Sequence, residues 1–159
     1  MIASAQTLRR LRPIAPFHDR TVVNGMTYGL GPAGYDIRIA QDVTLWPGSF
    51  QLASAIEHFT IPFNMMGEIA DKSSLIRRGL SVFNSKAEPG WHGYLTLELK
   101  NNQPIWKPWK VIRLKAGDPI AHFIFHILDE PTDQPYSGRY QAQAAGPQVA
   151  RFAKQGERA

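Results

Sequence analysis

The sequence predicts an all-β protein, and three observations carry that prediction. Its 12 prolines and 13 glycines are spread along all 159 residues, a punctuation that suits short strands and turns better than long helices. Many short runs alternate apolar with polar residues, with turn signals close behind each. No internal repeat or second domain is visible, and this length suffices for one domain with a real core.

Taken in order, residues 1–12 suit a short helix, with Ser4 as N-cap, Leu8 and Leu11 on one side, and Pro13 and Pro16 to end it. Residues 17–33 read as extended chain and loop, with Asn24-Gly25 as a turn. Residues 34–40 alternate: Tyr35, Ile37 and Ile39 share one face, opposite Asp36 and Arg38. A further strand at 43–46 stops at the Pro47-Gly48 turn. Residues 49–60 leave their class open, being apolar in places but carrying Glu57 and His58. Residues 61–69 resemble a strand broken at Pro62.

Residues 71–80 differ in character. Leu75 and Ile76 beside Arg77 and Arg78 suit one or two helical turns, opened by Asp71 or Ser73 and closed by Gly79. The start of such a helix presents free backbone N–H groups, and two hydroxyls with flanking cations make it a ready anion site. The alternative is an ordinary capped turn. The glycine spacing is not that of a P-loop.

Along 94–100 the period of two returns. Leu95, Leu97 and Leu99 point one way, while Tyr94, Thr96, Glu98 and Lys100 point the other. A glutamate in mid-strand runs against strand preference. It is a plain solvated charge if that face is open, and a candidate reactive group if the face lines a pocket. Residues 101–108 read as a surface loop, with Trp106 and Trp109 flanking basic residues. Residues 110–114 suit a strand, Gly117-Asp118-Pro119 a turn, and 120–128 the most apolar strand of the chain. His122 and His126 fall on one face of it with Ile120, Ile124 and Leu128. On a strand they stand too far apart to share a metal ion, so they read as structural or subunit-facing. From residue 131 the chain is rich in Gly, Ala and hydrogen-bonding side chains, which suits either a loose terminus or a lid over a ligand. Residues 148–159 look frayed.

The absence of cysteine excludes disulfides and thiolate metal sites and permits a reducing compartment. No apolar run reaches the roughly 18 residues of a membrane span, and no secretory signal is visible, so a cytoplasmic protein without a membrane partner is expected. The net charge of +5 implies an anionic partner. The basic residues are scattered rather than aligned with exposed aromatics, which ranks nucleic acid behind a phosphate-bearing small molecule.

Four segments, in this order, resemble the dCTP deaminase branch of the dUTPase-like family. They are Gly34-Tyr35-Asp36-Ile37-Arg38, then Lys72-Ser73-Ser74-Leu75-Ile76-Arg77-Arg78-Gly79-Leu80, then the run from Glu88-Pro89-Gly90-Trp91 through Glu98 with Asn101, and finally Gly138-Arg139-Tyr140-Gln141-Ala142-Gln143 followed by Gly146-Pro147. The resemblance implies a distorted jelly-roll β-domain (the dUTPase-like β-clip) with a short N-terminal and a short internal helix. It also implies a homotrimer with active sites at subunit interfaces. One domain would span 1–159, with about 131–159 as flexible lid and tail.

The resemblance gives each polar feature a role. Lys72, Ser73, Ser74 and Arg77 match the motif that binds the triphosphate, and Ser73 also the serine that helps position the attacking water. Glu98 matches the catalytic glutamate. Thr96 and Leu97 match the strand backbone beside the base, and Glu88 the acidic residue near the sugar. Trp91 either packs on the deoxyribose or belongs to the core. Tyr136, Arg139 and Gln143 match tail residues that close over the nucleotide, with Arg139 where lysine is commoner and Ala142 where glycine is usual. The segment 81–87 is shorter than in many bacterial members, with Lys86 as a candidate for the missing water contacts. The implied reaction is dCTP to dUTP and ammonia, without protein-bound zinc and with Mg2+ arriving on the triphosphate. Two alternatives stand beside it: a dUTP diphosphatase, alone or coupled to deamination and giving dUMP and pyrophosphate, and a non-catalytic nucleotide-binding regulator.

Overall fold

Alternation of apolar and polar side chains places most of the strands where the sequence suggests. The computed structural model describes residues 1–152. Residues 153–159, the end of the expected lid and tail, lie outside the described residues. The elements in chain order are α1 (Ala5–Leu11), β1 (Ile14–Ala15), β2 (Thr21–Val23), β3 (Met26–Gly31), β4 (Gly34–Arg38), β5 (Val43–Leu45), β6 (Phe50–Thr60), β7 (Met65–Asp71), α2 (Ser73–Ile76), β8 (Leu80–Val82), β9 (Lys86–Ala87), β10 (His92–Asn101), β11 (Ile112–Leu114) and β12 (Pro119–Ile127). No helix among the described residues is long and apolar enough to cross a membrane.

A six-stranded sheet, β2-β3-β4-β12-β7-β9, faces a four-stranded sheet, β1-β6-β10-β8, and β11 pairs with β5 at one end. The strand pairs are antiparallel. This is the all-β, jelly-roll-like architecture with two short helices that the sequence predicts. The core lies between the sheets. Tyr35 and Ile37 on β4, Phe59 on β6, Leu97 and Leu99 on β10, and Phe123 and Phe125 on β12 are all 0% exposed. Phe123 lies 4.6 Å from Phe59 of the facing sheet and 4.8 Å from Phe125 of its own strand, both in tilted aromatic contacts, and the first joins the two sheets. The Asn24-Gly25 turn is as expected: both residues have positive φ, 49° and 74°, the geometry that matches the twist of a tight hairpin between β2 and β3.

The structure corrects the sequence reading at four places and settles one that was left open. Leu8 on α1 is buried, but Leu11 is 44% exposed, and Ser4 makes no side-chain cap. The open stretch 49–60 is the long strand β6, whose pattern is masked by a buried charge. Glu57 is 0% exposed, and its carboxylate accepts from the Arg38 side-chain Nε (2.8 Å) and backbone N (2.9 Å), tying the two sheets together. The strand expected at 61–69 begins only at Met65, after a turn closed by Met65 N–H on Pro62 O. Asp71 does not cap α2; Lys72 takes the N-cap position without a side-chain bond, while Asp71 Oδ1 accepts Val82 N–H at 2.8 Å. Finally, a register shift between Pro119 and Ala121 turns Ile120 into the core, off the half-buried face that carries His122, Ile124 and His126.

Candidate active site

Strand β10 positions the central carboxylate. Its exposure alternates from His92 to Asn101, so Leu95, Leu97 and Leu99 enter the core while Thr96 and Glu98 face outward. Outward here is not solvent. Thr96 and Glu98 line a cavity of about 620 Å³, walled by Phe50 and Leu52 of β6, the 84–91 segment and the tail. Burial raises the Glu98 carboxyl above its ordinary 4.5, because the charged form loses hydration there. Among the described residues, Glu98 takes part in no ion pair. A carboxylate so placed is poised to take and return protons.

The edge of β10 beside the cavity is completed by three different partners. At one end β8 pairs with Leu99–Asn101, extended by Phe83 N–H on Glu98 O at 2.9 Å. At the other end the tail runs alongside: Tyr94 N–H donates to Gln143 O (2.9 Å), and Gln143 Nε2 donates to Tyr94 O (2.7 Å) and Thr96 Oγ1 (3.0 Å). Between them the Asn84 carboxamide fills the gap. Its Nδ2 donates to Thr96 O at 2.6 Å, and its Oδ1 accepts Glu98 N–H at 3.2 Å.

The tail is docked over the cavity. Trp91 Nε1 donates to Tyr140 O (2.7 Å), Gln141 Nε2 to Gly90 O (2.9 Å), and Gln148 N–H to Thr96 Oγ1 (3.0 Å). Gly93 is required for this approach, since a Cβ there would stand 2.6 Å from Gln143 N, and its φ is 139°. Ala142 adopts φ 55°, a left-handed conformation that explains why glycine is usual at this position.

The 72–80 segment lies elsewhere. Leu75 anchors α2 in the core, while Ser73, Ser74 and Arg77 are exposed. Lys72 turns back into its own chain: its Nζ donates to Asp36 Oδ2 at 2.6 Å, and its side chain is 10% exposed. His122 Nδ1 meets the other Asp36 oxygen at 2.8 Å. Burial acts to raise the Asp36 carboxyl, but the hydrogen bonds and charges of His122 and Lys72 outweigh it, and the pKa is lowered. His126 likewise faces a carboxylate, Glu68, at 2.7 Å, and Lys86 at the cavity wall pairs with the same Glu68 at 2.7 Å. Both histidines are thus held in carboxylate pairs.

Of the residues singled out in the sequence, Glu88, Trp91, Thr96, Glu98, Tyr136 and Gln143 share the cavity. Trp91 is 6% exposed and 6.4 Å from Phe59, so it serves core and cavity together. The Leu97 side chain is 0% exposed in the core and its backbone pairs with Ala53 of β6, so Leu97 is not in the cavity wall. Lys72, Ser73, Ser74 and Arg77 are not in the cavity wall. Nor is Arg139, which donates to Arg151 O at 3.2 Å and accepts from Arg151 Nη1 at 2.9 Å. Sequence reasoning missed Asn84, Tyr140 and Gln148, whose contacts with β10 and Trp91 reach across 12, 49 and 52 residues of chain. Among the described residues no three His, Asp or Glu side chains gather as metal ligands.

Comparison with known proteins shows the family. The dCTP deaminase-like family model matches residues 35–128. The dCTP deaminase of Gemmatimonas aurantiaca is 32% identical, with 82% of this chain and 86% of that protein covered. That of Herpetosiphon aurantiacus is 34% identical over the same shares, and that of Pyrococcus horikoshii 33% identical over 70% of this chain and 78% of its own. In structure, the dUTPase of Staphylococcus bacteriophage 80alpha, solved with dUPNHPP, aligns with a TM-score of 0.58 at 17% identity, over 90% of this chain and 89% of its own. Native EIAV dUTPase aligns with a TM-score of 0.53 at 20% identity, over 67% and 84%. The chain belongs to the dCTP deaminase-like family.

Proposed function

We propose that the protein hydrolytically deaminates dCTP to dUTP and ammonia, with Glu98 as the proton-transfer group. The observation that carries this reading is a half-buried glutamate whose pKa is raised by burial, set in a nucleotide-sized cavity on a strand edge. The Glu98 carboxylate takes one proton from water as the oxygen adds to C4 of cytosine, and delivers it to N3. It then moves the second proton from the new hydroxyl to the amino group, the C4–N bond breaks, and ammonia leaves with the ring carbonyl restored. A carboxylate with a pKa nearer neutrality serves both steps. Thr96 stands at the cavity edge beside the base, Trp91 and Glu88 stand at the sugar, and Tyr136, Gln143 and Arg139 act in the lid.

The triphosphate reading rests on Ser73, Ser74 and Arg77, which are exposed and away from the cavity wall of their own chain. A homotrimer in which one copy brings this motif to the cavity of the next accounts for that separation. Lys72 braces the motif from beneath through Asp36. The substrate is the magnesium complex of dCTP, the ion riding on phosphate oxygens and water. A second reading, coupled dUTP hydrolysis, is favoured by one observation: Glu88 puts a second carboxylate at the same cavity.

The test is incubation with Mg·dCTP, separation of the nucleotides, and assay of ammonia and pyrophosphate together. dUTP with ammonia supports deamination alone, and dUMP with both products supports the coupled reaction. Unchanged dCTP rejects both.

A further inference from the structure

The Asn84 side chain does what a strand would otherwise do. Along the cavity edge of β10, Phe83 N–H takes Glu98 O, and beyond it the chain turns away to β9 in the other sheet. The next backbone groups, Glu98 N–H and Thr96 O, are left for Asn84, whose carboxamide bonds both, at 3.2 and 2.6 Å. A carbonyl can only accept and an N–H can only donate, so the orientation of the amide is fixed by its two partners. Asn84 itself is half-buried in the cavity wall. Both peptide bonds of Glu98 are therefore clamped on this edge, one by a strand and one by a side chain, and neighbouring Leu97 and Leu99 are paired with Ala53 and Gln51 of β6 on the other.

We propose that Asn84 is a positioning residue for the reaction: it fixes the peptide before Glu98 and so the direction in which the Glu98 carboxylate enters the cavity. This rests on Glu98 being the proton-transfer group. The choice of an amide is chemically specific. A carboxylate at the same place would face Thr96 O acceptor to acceptor and would set a second negative charge beside Glu98. An alanine would leave Thr96 O and Glu98 N–H to water.

The test uses the full chain, with Asn84→Ala and Asn84→Asp followed over pH with Mg·dCTP. Asn84→Ala is expected to lower kcat about tenfold or more while KM moves much less, the response to a misaimed proton-transfer group rather than a lost substrate contact. Asn84→Asp, nearly isosteric, is expected to move the acid limb of the pH profile upward, because a neighbouring carboxylate disfavours ionisation of Glu98. Backbone amide exchange gives a readout free of activity: in Asn84→Ala the Glu98 amide loses protection, while the Leu97 and Leu99 amides keep theirs. A stability loss with wild-type kcat and an unmoved acid limb would overturn the proposal, reducing Asn84 to a filler of the strand edge. If Asn84→Ala does not fold, a wild-type profile in Asn84→Asp overturns it equally. Absence of deamination in the unmodified protein, or full activity in Glu98→Gln, would instead sink the functional reading on which the proposal stands.

Discussion

Glu57 and Glu98 sit on paired neighbouring strands, β6 and β10, and they show what separates a structural carboxylate from a reactive one. Glu57 is 0% exposed, and both its oxygens are occupied by Arg38, which in turn stacks over Tyr28 at 4.6 Å. Glu98 is less buried but among the described residues has no cation paired with it, and burial alone acts on it to raise its pKa. A paired buried charge is fixed in place and ties two sheets together. An unpaired one in a cavity can change its state, which is what proton transfer needs.

The largest expected effect breaks the reactive member. Glu98→Gln keeps the shape and removes the base, so turnover of dCTP falls by about a thousandfold, the usual scale of a lost acid–base group, while nucleotide binding persists. Turnover within tenfold of wild type would show that another group moves the proton. The same variant tests the pKa. A folded-state pKa above the unfolded value means that the native state binds more protons between the two, so wild-type stability falls as pH rises through that window. Glu98→Gln lacks this loss. Its melting temperature should exceed that of wild type at neutral pH, with the gap closing as pH falls toward the ordinary carboxyl value of 4.5. A gap that does not narrow would mean that Glu98 is not strained by burial.

Breaking the structural member should do the reverse. Glu57→Gln leaves Arg38 largely buried without its counter-charge and should lower unfolding stability by about 3 kcal/mol. The kcat of the fraction that remains folded should be unchanged. Urea unfolding measured with the deaminase assay separates these, and a selective loss of kcat would move Glu57 from scaffold to site.

The two glutamates also show how far a sequence can be read. Glu98 was legible because its neighbours Leu95, Leu97 and Leu99 set a period of two that assigns it a face. Glu57 was not, because the partner that permits its burial, Arg38, is 19 residues away on another sheet, and without it a charge simply spoils the pattern of β6. Asn84 left no signal either: a single asparagine in a turn-like stretch is ordinary, and its function lies in two backbone atoms of a distant strand. The tail was legible as a segment that could close over a ligand. That it docks by laying Gln143 along β10 depends on long-range bonds, which have no local period. Lys72 looked like a free cation, but the Asp36 that takes it lies 36 residues earlier.

The tail sharpens the comparison further, because it walls part of the cavity that Glu98 lines. Gln143→Ala removes the bonds to Tyr94 O and Thr96 Oγ1, so the tail should open more often. KM for dCTP is expected to rise about tenfold, on the scale of one or two net hydrogen bonds. The acid limb should shift downward as Glu98 regains water. A raised KM with an unmoved limb would mean that the sheet walls, not the tail, supply the burial.

The smallest effect concerns Ala142, and its sign is the informative part. An L-residue at φ 55° carries strain of about 1–2 kcal/mol that glycine would not. Glycine in turn makes the undocked tail more disordered, a loss of about 0.5–1 kcal/mol. The two terms partly cancel, leaving a net gain for docking of about 0–1.5 kcal/mol in Ala142→Gly. If strain wins, exchange of the Tyr94 amide, which donates to Gln143 O, slows slightly and KM falls. Faster exchange with a raised KM would show that chain entropy dominates, and that the alanine tightens this lid by limiting the open tail rather than loosening it by strain.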